Sequence, residues 1–305
     1  MTRPIEQFAV AAPGDGPYGI TAGPDGALWF TLVHAGRIGR LDAAREVTVF
    51  PLASATAAPM SITAGPDGAL WFTESGTSAI GRVGTDGEVS SYPLPTPGAA
   101  PFGITPGPDG ALWFTEMSAD RIGRITTGGE ISEFELPLRG GYPSAIVTGP
   151  DGALWFTLNQ ADAIGRAALD GTIAIHPLPT PEAAPVGLAA GPDGALWFTE
   201  IGAGQIGRLV PGDGRIEEFA LPDPSCRPHA IVAGPDDALW FTEWGANRLG
   251  RITRGGEVTE HPLPVAAAEP HGVAVGPDGA IWTALEIGAL ARLEPVRACG
   301  PRSTA

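Results

Sequence analysis

Short apolar runs alternate with turn residues along this chain, and no run is long. Tyr18-Gly19-Ile20-Thr21-Ala22 is followed by the turn Pro24-Asp25-Gly26. Ala27-Leu28-Trp29-Phe30-Thr31 is a continuous aromatic run. Arg37-Ile38-Gly39-Arg40-Leu41 and Glu46-Val47-Thr48-Val49-Phe50 come next, the last ending at Pro51. Apolar runs of about five residues, bounded by Gly, Pro and Asp, predict strands, and Asp-Gly favours a tight reversal. A helical period appears nowhere. Four antiparallel strands therefore fill the unit.

The unit repeats. Gly-Pro recurs at Gly23, Gly65, Gly107, Gly149, Gly191, Gly234 and Gly276, in steps of 42 residues with one of 43. Trp29, Trp71, Trp113, Trp155, Trp197, Trp240 and Trp282 keep the same spacing, and Trp244 stands outside the series. A β-rich period near forty predicts a propeller or a solenoid. The ends decide between them. Ile5-Glu6-Gln7-Phe8 matches the fourth-strand pattern, and the last repeat lacks a fourth strand. The N-terminal strand should complete the seventh blade and cover its edge, whereas a solenoid would need polar caps. The expectation is all-β: one seven-bladed β-propeller domain over residues 1–305.

Composition alters this picture little. Glycine (44) and proline (32) form a quarter of the 305 residues, but their periodic placement makes them turn punctuation. The net charge of −16 argues against a nucleic-acid partner. No apolar leader is visible and no stretch approaches a membrane span, so no membrane partner and a cytoplasmic location are expected. Cys226 and Cys299 lack metal-ligand spacing and read as free thiols. A ring with covered edges needs no partner subunit, so a monomer is expected.

Strand direction puts the Pro-Asp-Gly turns at one end and the variable loops at the other, where function should sit. The repeat is its own control there. The slot after the proline opening each first strand reads Tyr18, Met60, Phe102, Ser144, Val186, His229 and His271. The slot before that proline reads Gly16, Ala58, Ala100, Tyr142, Ala184, Arg227 and Glu269. Three residues after the tryptophan stand Leu32, Glu74, Glu116, Leu158, Glu200 and Glu243, a recurring feature of scaffold or rim. Blade seven instead carries Glu286 one place later. Two histidines and two carboxylates should therefore meet at one mouth. Mg²⁺ suits carboxylates with open positions; a four-ligand zinc site is the rival. Histidine can also move a proton. The plainer reading is that His229 and His271 plug the channel, as Phe102 would. His176 and His261 occupy the outer-strand slot of Phe50 and Phe134, and His34 has no evident carboxylate partner.

The repeated Gly-Pro-Asp-Gly-Ala-Leu-Trp-Phe-Thr-Glu and Ile-Gly-Arg units, together with Arg227-Pro228-His229, Glu269-Pro270-His271-Gly272 and Ala284-Leu285-Glu286, resemble the virginiamycin B lyase (streptogramin B lyase) family over the full length. The resemblance implies that Glu269 and Glu286 bind Mg²⁺, that His271 is the proton-accepting base and that His229 binds substrate. Tyr18 and Trp244 also fit the family's mouth. It implies a carbon–oxygen lyase that opens a cyclic depsipeptide antibiotic by elimination, without water, and so confers resistance. The residues alone leave two alternatives: a metal-dependent lactone or ester hydrolase, and a binding propeller without chemistry.

Overall fold

The computed structural model describes residues 4–295. The described residues form seven sheets of four antiparallel strands, six of them joined in sequence order and the seventh completed by the N-terminal strand. Blade 1 comprises Pro17–Ala22, Leu28–Leu32, Arg37–Leu41 and Val47–Pro51. These bounds lie within one residue of those expected. The first strands of successive blades pack around the axis, and blade 7 meets blade 1. Blade 7 has Pro270–Val275, Ile281–Leu285 and Ala289–Leu293, and its fourth strand is Glu6–Ala9. That strand pairs Glu6 with Arg292 and Ala9 with Ala289, so the N-terminus closes the ring as expected.

The repeated motif is explained by what it joins. The Trp29 indole N–H donates to Asp25 Oδ1 at 3.0 Å, and Arg40 Nε donates to Asp25 Oδ2 at 2.7 Å. One turn carboxylate thus ties the second strand to the third. The same triad returns in the other six blades, for example Trp71-Asp67-Arg82. Burial opposes ionisation of Asp25, but the Trp29 and Arg40 hydrogen bonds overcome it and hold the carboxyl below its usual range. Each tryptophan then lies on the fourth strand: Trp29 stacks on Phe50 at 5.3 Å. His176 and His261 fill that slot against Trp155 and Trp240, as expected of outer-strand residues. Truncating a buried tryptophan costs about 3–5 kcal/mol.

Glycine in Ile-Gly-Arg has an equally local cause. Phe30 lies opposite Gly39, and a Cβ there would sit 2.2 Å from the phenyl ring. Six blades share this pairing. Blade 7 has no ring to accommodate, and Thr283 stands opposite Ala291 instead.

Two further features position the site. Every first strand carries a bulge directly after its proline: Pro17 pairs with Leu32, and pairing resumes at Ile20 with Phe30. A bulge re-aims side chains, and here it sends the slot of Tyr18, His229 and His271 into the channel mouth. In blades 1–6 a buried threonine fixes the bulge. Thr31 Oγ1 accepts from Gly19 N at 2.8 Å and donates to the Met60 carbonyl of the next blade at 2.9 Å.

The glutamates of the recurring slot belong to the scaffold. Glu74, Glu116, Glu200 and Glu243 are 0–5% exposed and pair with the first-strand prolines of their own blades. Cys226 is a buried free thiol, and burial, then Glu243, pushes it up to about 12. Cys299 lies outside the described residues.

Blades 3 and 5 carry a pH liability, for burial raises Glu116 as far as Glu200, to about 8. Arg248 bridges Glu243 at 2.6 Å, yet burial still raises Glu243 to about 7; Gln205 stands in that position beside Glu200, so no cation offsets burial there. Burial, followed by the facing Glu218 carboxylate, raises Glu200 to about 8. A raised folded value means stability is fully present below the unfolded value and is lost as pH rises through about 8. Glu200→Gln should therefore raise Tm by a few degrees at pH 9 and change it little at pH 5. Thermal melts at both values check this, and an equal shift at both would contradict it.

Candidate active site

The channel mouth is built from seven bulge residues, and their chemistry is unequal. Met60, Phe102, Ser144 and Val186 make one side apolar or small. Tyr18, His229 and His271 come from blades 1, 6 and 7, which adjoin through ring closure. The cavity beneath has about 130 Å³ of room and is lined by Tyr18, Ser61, Phe102, Val186 and His229, among others. Pockets that enclose a drug-sized ligand run to roughly 300–1,000 Å³. A large ligand would therefore rest on the top face and lower only one group toward the axis. A roomier groove of about 320 Å³ opens at the opposite end, beside Arg45 and Trp282. It offers no histidine.

The three aromatic rings lock together. Tyr18 stacks on His271 with centroids 4.4 Å apart, and its hydroxyl lies 3.2 Å from His229 Nε2. The two imidazoles meet edge to face at 5.1 Å. Trp244 stacks beyond His271 at 6.4 Å, with the Arg227 guanidinium 5.4 Å above its ring. The backbone of both histidines is hung from the preceding blade: Thr199 Oγ1 donates to the His229 carbonyl at 2.7 Å, and Thr242 Oγ1 to the His271 carbonyl at 2.8 Å.

Electrostatics separate the roles. Burial lowers His271 to about 4, although Glu269 works in the opposite direction. Burial and then His271 lower His229 to about 3. Both imidazoles are therefore neutral near pH 7. His271 is 8% exposed, and neither of its ring nitrogens has a hydrogen-bond partner in the protein. It is a neutral imidazole free to take a proton. Tyr18 is raised well above its ordinary value by burial, then by Glu286, so its hydroxyl stays protonated.

The carboxylates meet beside this base. Ligand atoms of Glu269, His271 and Glu286 lie within 4.8 Å of one another. Glu269 is raised first by hydrogen bonding to Glu286, then by burial and the Glu286 charge. Two carboxylates pressed together favour a shared proton or a cation. This donor set fits a hard divalent ion. His229 is not part of the cluster, so the four-ligand set of two histidines and two carboxylates is not assembled. Glu286 proves to occupy the slot of Trp244: Glu286 N donates to the Ala268 carbonyl, and more distantly to that of Glu269, as Trp244 N donates to that of Arg227. It begins the loop, while Leu285 takes the buried place of Glu243.

All six residues singled out from the sequence come together here. One more joins them. His34 Nε2 lies 3.4 Å from Glu286 Oε1, across the junction of blades 7 and 1. Its carboxylate partner is 252 positions away in sequence. The usable signal was ring closure, which makes blade 1 a neighbour of blade 7.

Fold and site together define a seven-bladed propeller with a neutral buried imidazole beside a candidate cation centre at one mouth. Residues 3–293 match the virginiamycin B lyase family, and the chain belongs to that family. A virginiamycin B lyase of Saccharopolyspora erythraea is 62% identical over 47 residues, a segment that spans only 16% of that protein and 15% of this chain. Solved structures align far more fully. The virginiamycin B lyase from Staphylococcus aureus has a TM-score of 0.92 and 45% identity, covering 96% of this chain and 99% of that one. A catalytically inactive histidine-to-alanine variant of the Staphylococcus aureus enzyme, with quinupristin, has a TM-score of 0.92 and 44% identity over the same shares.

If the cluster takes a divalent cation, binding to the folded state stabilises it in proportion to the logarithm of concentration. Tm should rise as Mg²⁺ is added to metal-free protein, and Glu286→Gln should flatten that rise. Equal responses from both proteins would exclude Glu286 as a ligand.

Proposed function

We propose that this protein is a lyase that linearises type B streptogramins, and so inactivates them, by elimination at the ring ester. The observation that supports this most is the unpartnered neutral imidazole of His271 lying beside two carboxylates that press on each other. Family membership and the relative solved with quinupristin suggest the substrate class.

In this reading His271 removes the α-proton of the residue whose β-oxygen closes the ring. The electrons of that C–H bond form the Cα–Cβ double bond. The Cβ–O bond breaks, and the ester carboxylate leaves with its electron pair. His271 then releases its proton to solvent. No water is consumed, so the product keeps the mass of the substrate. The hydroxyl of Tyr18 and the ring of His229 form a polar edge that orients the substrate carbonyls. Trp244 and Arg227 give the macrocycle a flat surface on the top face. Tyr18, stacked on His271, keeps the base dry and its ring plane fixed.

An imidazole lowered to about 4 is a weak base for an α-proton. The proton must therefore be made more acidic. Glu269 and Glu286 would hold Mg²⁺, which as a Lewis acid polarises an adjacent carbonyl. Oxygen donors with open positions suit Mg²⁺.

Quinupristin incubated with protein and Mg²⁺ should give a ring-opened product of unchanged mass by chromatography with mass spectrometry, and EDTA should suppress it. Gain of one water would make the protein a hydrolase, and no product would leave a binding propeller. His271→Ala should lower kcat by roughly 10²–10⁴-fold while Tm stays close to that of the parent. Near-normal turnover would remove His271 from the mechanism.

The threonine bridges supply a matched pair of variants. Thr242→Val removes the donor to the His271 carbonyl, and Thr73→Val removes the equivalent donor to Phe102. Each should cost about 1–3 kcal/mol of stability. Only Thr242→Val should also lower kcat, by roughly 10- to 100-fold, because it loosens the base. Parallel melts and steady-state kinetics distinguish the two, and equal kinetic losses would contradict the account.

A further inference from the structure

The residue before each first-strand proline has a left-handed backbone in every blade. φ is 46° at Ala58, 49° at Ala100, 57° at Tyr142, 49° at Ala184, 50° at Arg227, 49° at Glu269 and 67° at Gly16. Six blades place a side chain there despite the steric cost of positive φ. Backbone conformation therefore does not demand glycine in blade 1. Space does. A Cβ on Gly16 would lie 2.4 Å from His34 Cδ2 and 3.0 Å from its Nε2. The imidazole fills the volume that a methyl group takes in other blades.

From that seat His34 reaches across the ring closure to Glu286 Oε1 at 3.4 Å. The same oxygen lies 3.3 Å from His271 Nε2, but out of line for a hydrogen bond. This junction is also where the threonine bridge is missing. Ala284 stands in the threonine slot, and Thr283 Oγ1 turns to the Gly272 carbonyl of its own blade at 2.9 Å. Glu286 starts a loop and its side chain is 29% exposed, so its rotamer needs an outside anchor.

We infer that His34 is a positioning residue for Glu286, and that position 16 is glycine in order to seat it. The role rests on the proposed function of Glu286 as a cation ligand. His34 takes one carboxylate oxygen and leaves the other free to face Glu269. Groups that orient a ligand in this way typically change metal affinity 10–100-fold when removed.

The test uses wild type, His34→Ala, Gly16→Ala and the double variant, with Mg²⁺ alone as ligand in calorimetry. His34→Ala and Gly16→Ala should each weaken Mg²⁺ about 10-fold. The double variant should be no weaker than His34→Ala, since Gly16 acts through His34. Excess Mg²⁺ should restore quinupristin turnover to His34→Ala, as it would not for a base. In metal-free melts, Gly16→Ala should cost less Tm in the Ala background at 34 than in wild type. Unchanged Mg²⁺ affinity in His34→Ala, or additive Tm losses, would overturn the inference. A wild type that binds no Mg²⁺ would overturn the cation reading and the role of His34 toward it. Coupled melts would then still uphold the seat, so the two failures are told apart.

Discussion

Six buried hydroxyls set the geometry of the channel. In each of blades 1–6 a threonine that is 0% exposed accepts from the bulge of its own blade and donates to the bulge carbonyl of the next. The residues facing the axis are therefore located by their neighbours as well as by their own strands. A buried hydrogen bond contributes only about 1 kcal/mol net, but leaving its partner unmade costs more. That asymmetry makes the ring resistant to slippage between blades. It also means His229 and His271 are held rigidly at the backbone before any side-chain contact is counted.

The seventh interface is different, and the chemistry gathers there. Ala284 cannot bridge to Tyr18, so side chains do the joining. Tyr18 stacks on His271 and reaches His229, and His34 reaches Glu286. The cost of this arrangement is low basicity: a neutral imidazole buried among aromatic rings resists protonation. In the proposed reaction the two adjacent carboxylates at the rim would compensate, because their negative field would draw a cation to the substrate's carbonyl. One property of the site, its dryness, explains the free imidazole and, in the proposed reaction, why a Lewis acid would be called for.

Much of this was legible in the sequence because a repeat exposes its own exceptions. The triad of Trp29, Asp25 and Arg40 recurs in every blade, so strand bounds and ring closure followed from spacing. Glu269, His271, His229 and Glu286 stood out as departures from their slots. Two things were hidden. Glu286 was seen only as a carboxylate one place late, although it stands four residues after Trp282 as Trp244 does after Trp240; backbone pairing shows that the two share a slot at the start of the loop. His34 looked isolated because its partner lies at the far end of the chain. The glycine at position 16 was visible among alanines, but its meaning required knowing how closely an imidazole from another loop approaches that backbone.

Removal of a carbon-bound proton by His271 leaves an isotopic record, so substitution at that carbon tests it. A type B streptogramin deuterated at the α-carbon of the ester-forming residue would be turned over and its product weighed. The account predicts that the deuterium is lost to solvent and that the reaction slows relative to the protiated substrate. A product that retains the deuterium and gains water oxygen would contradict it.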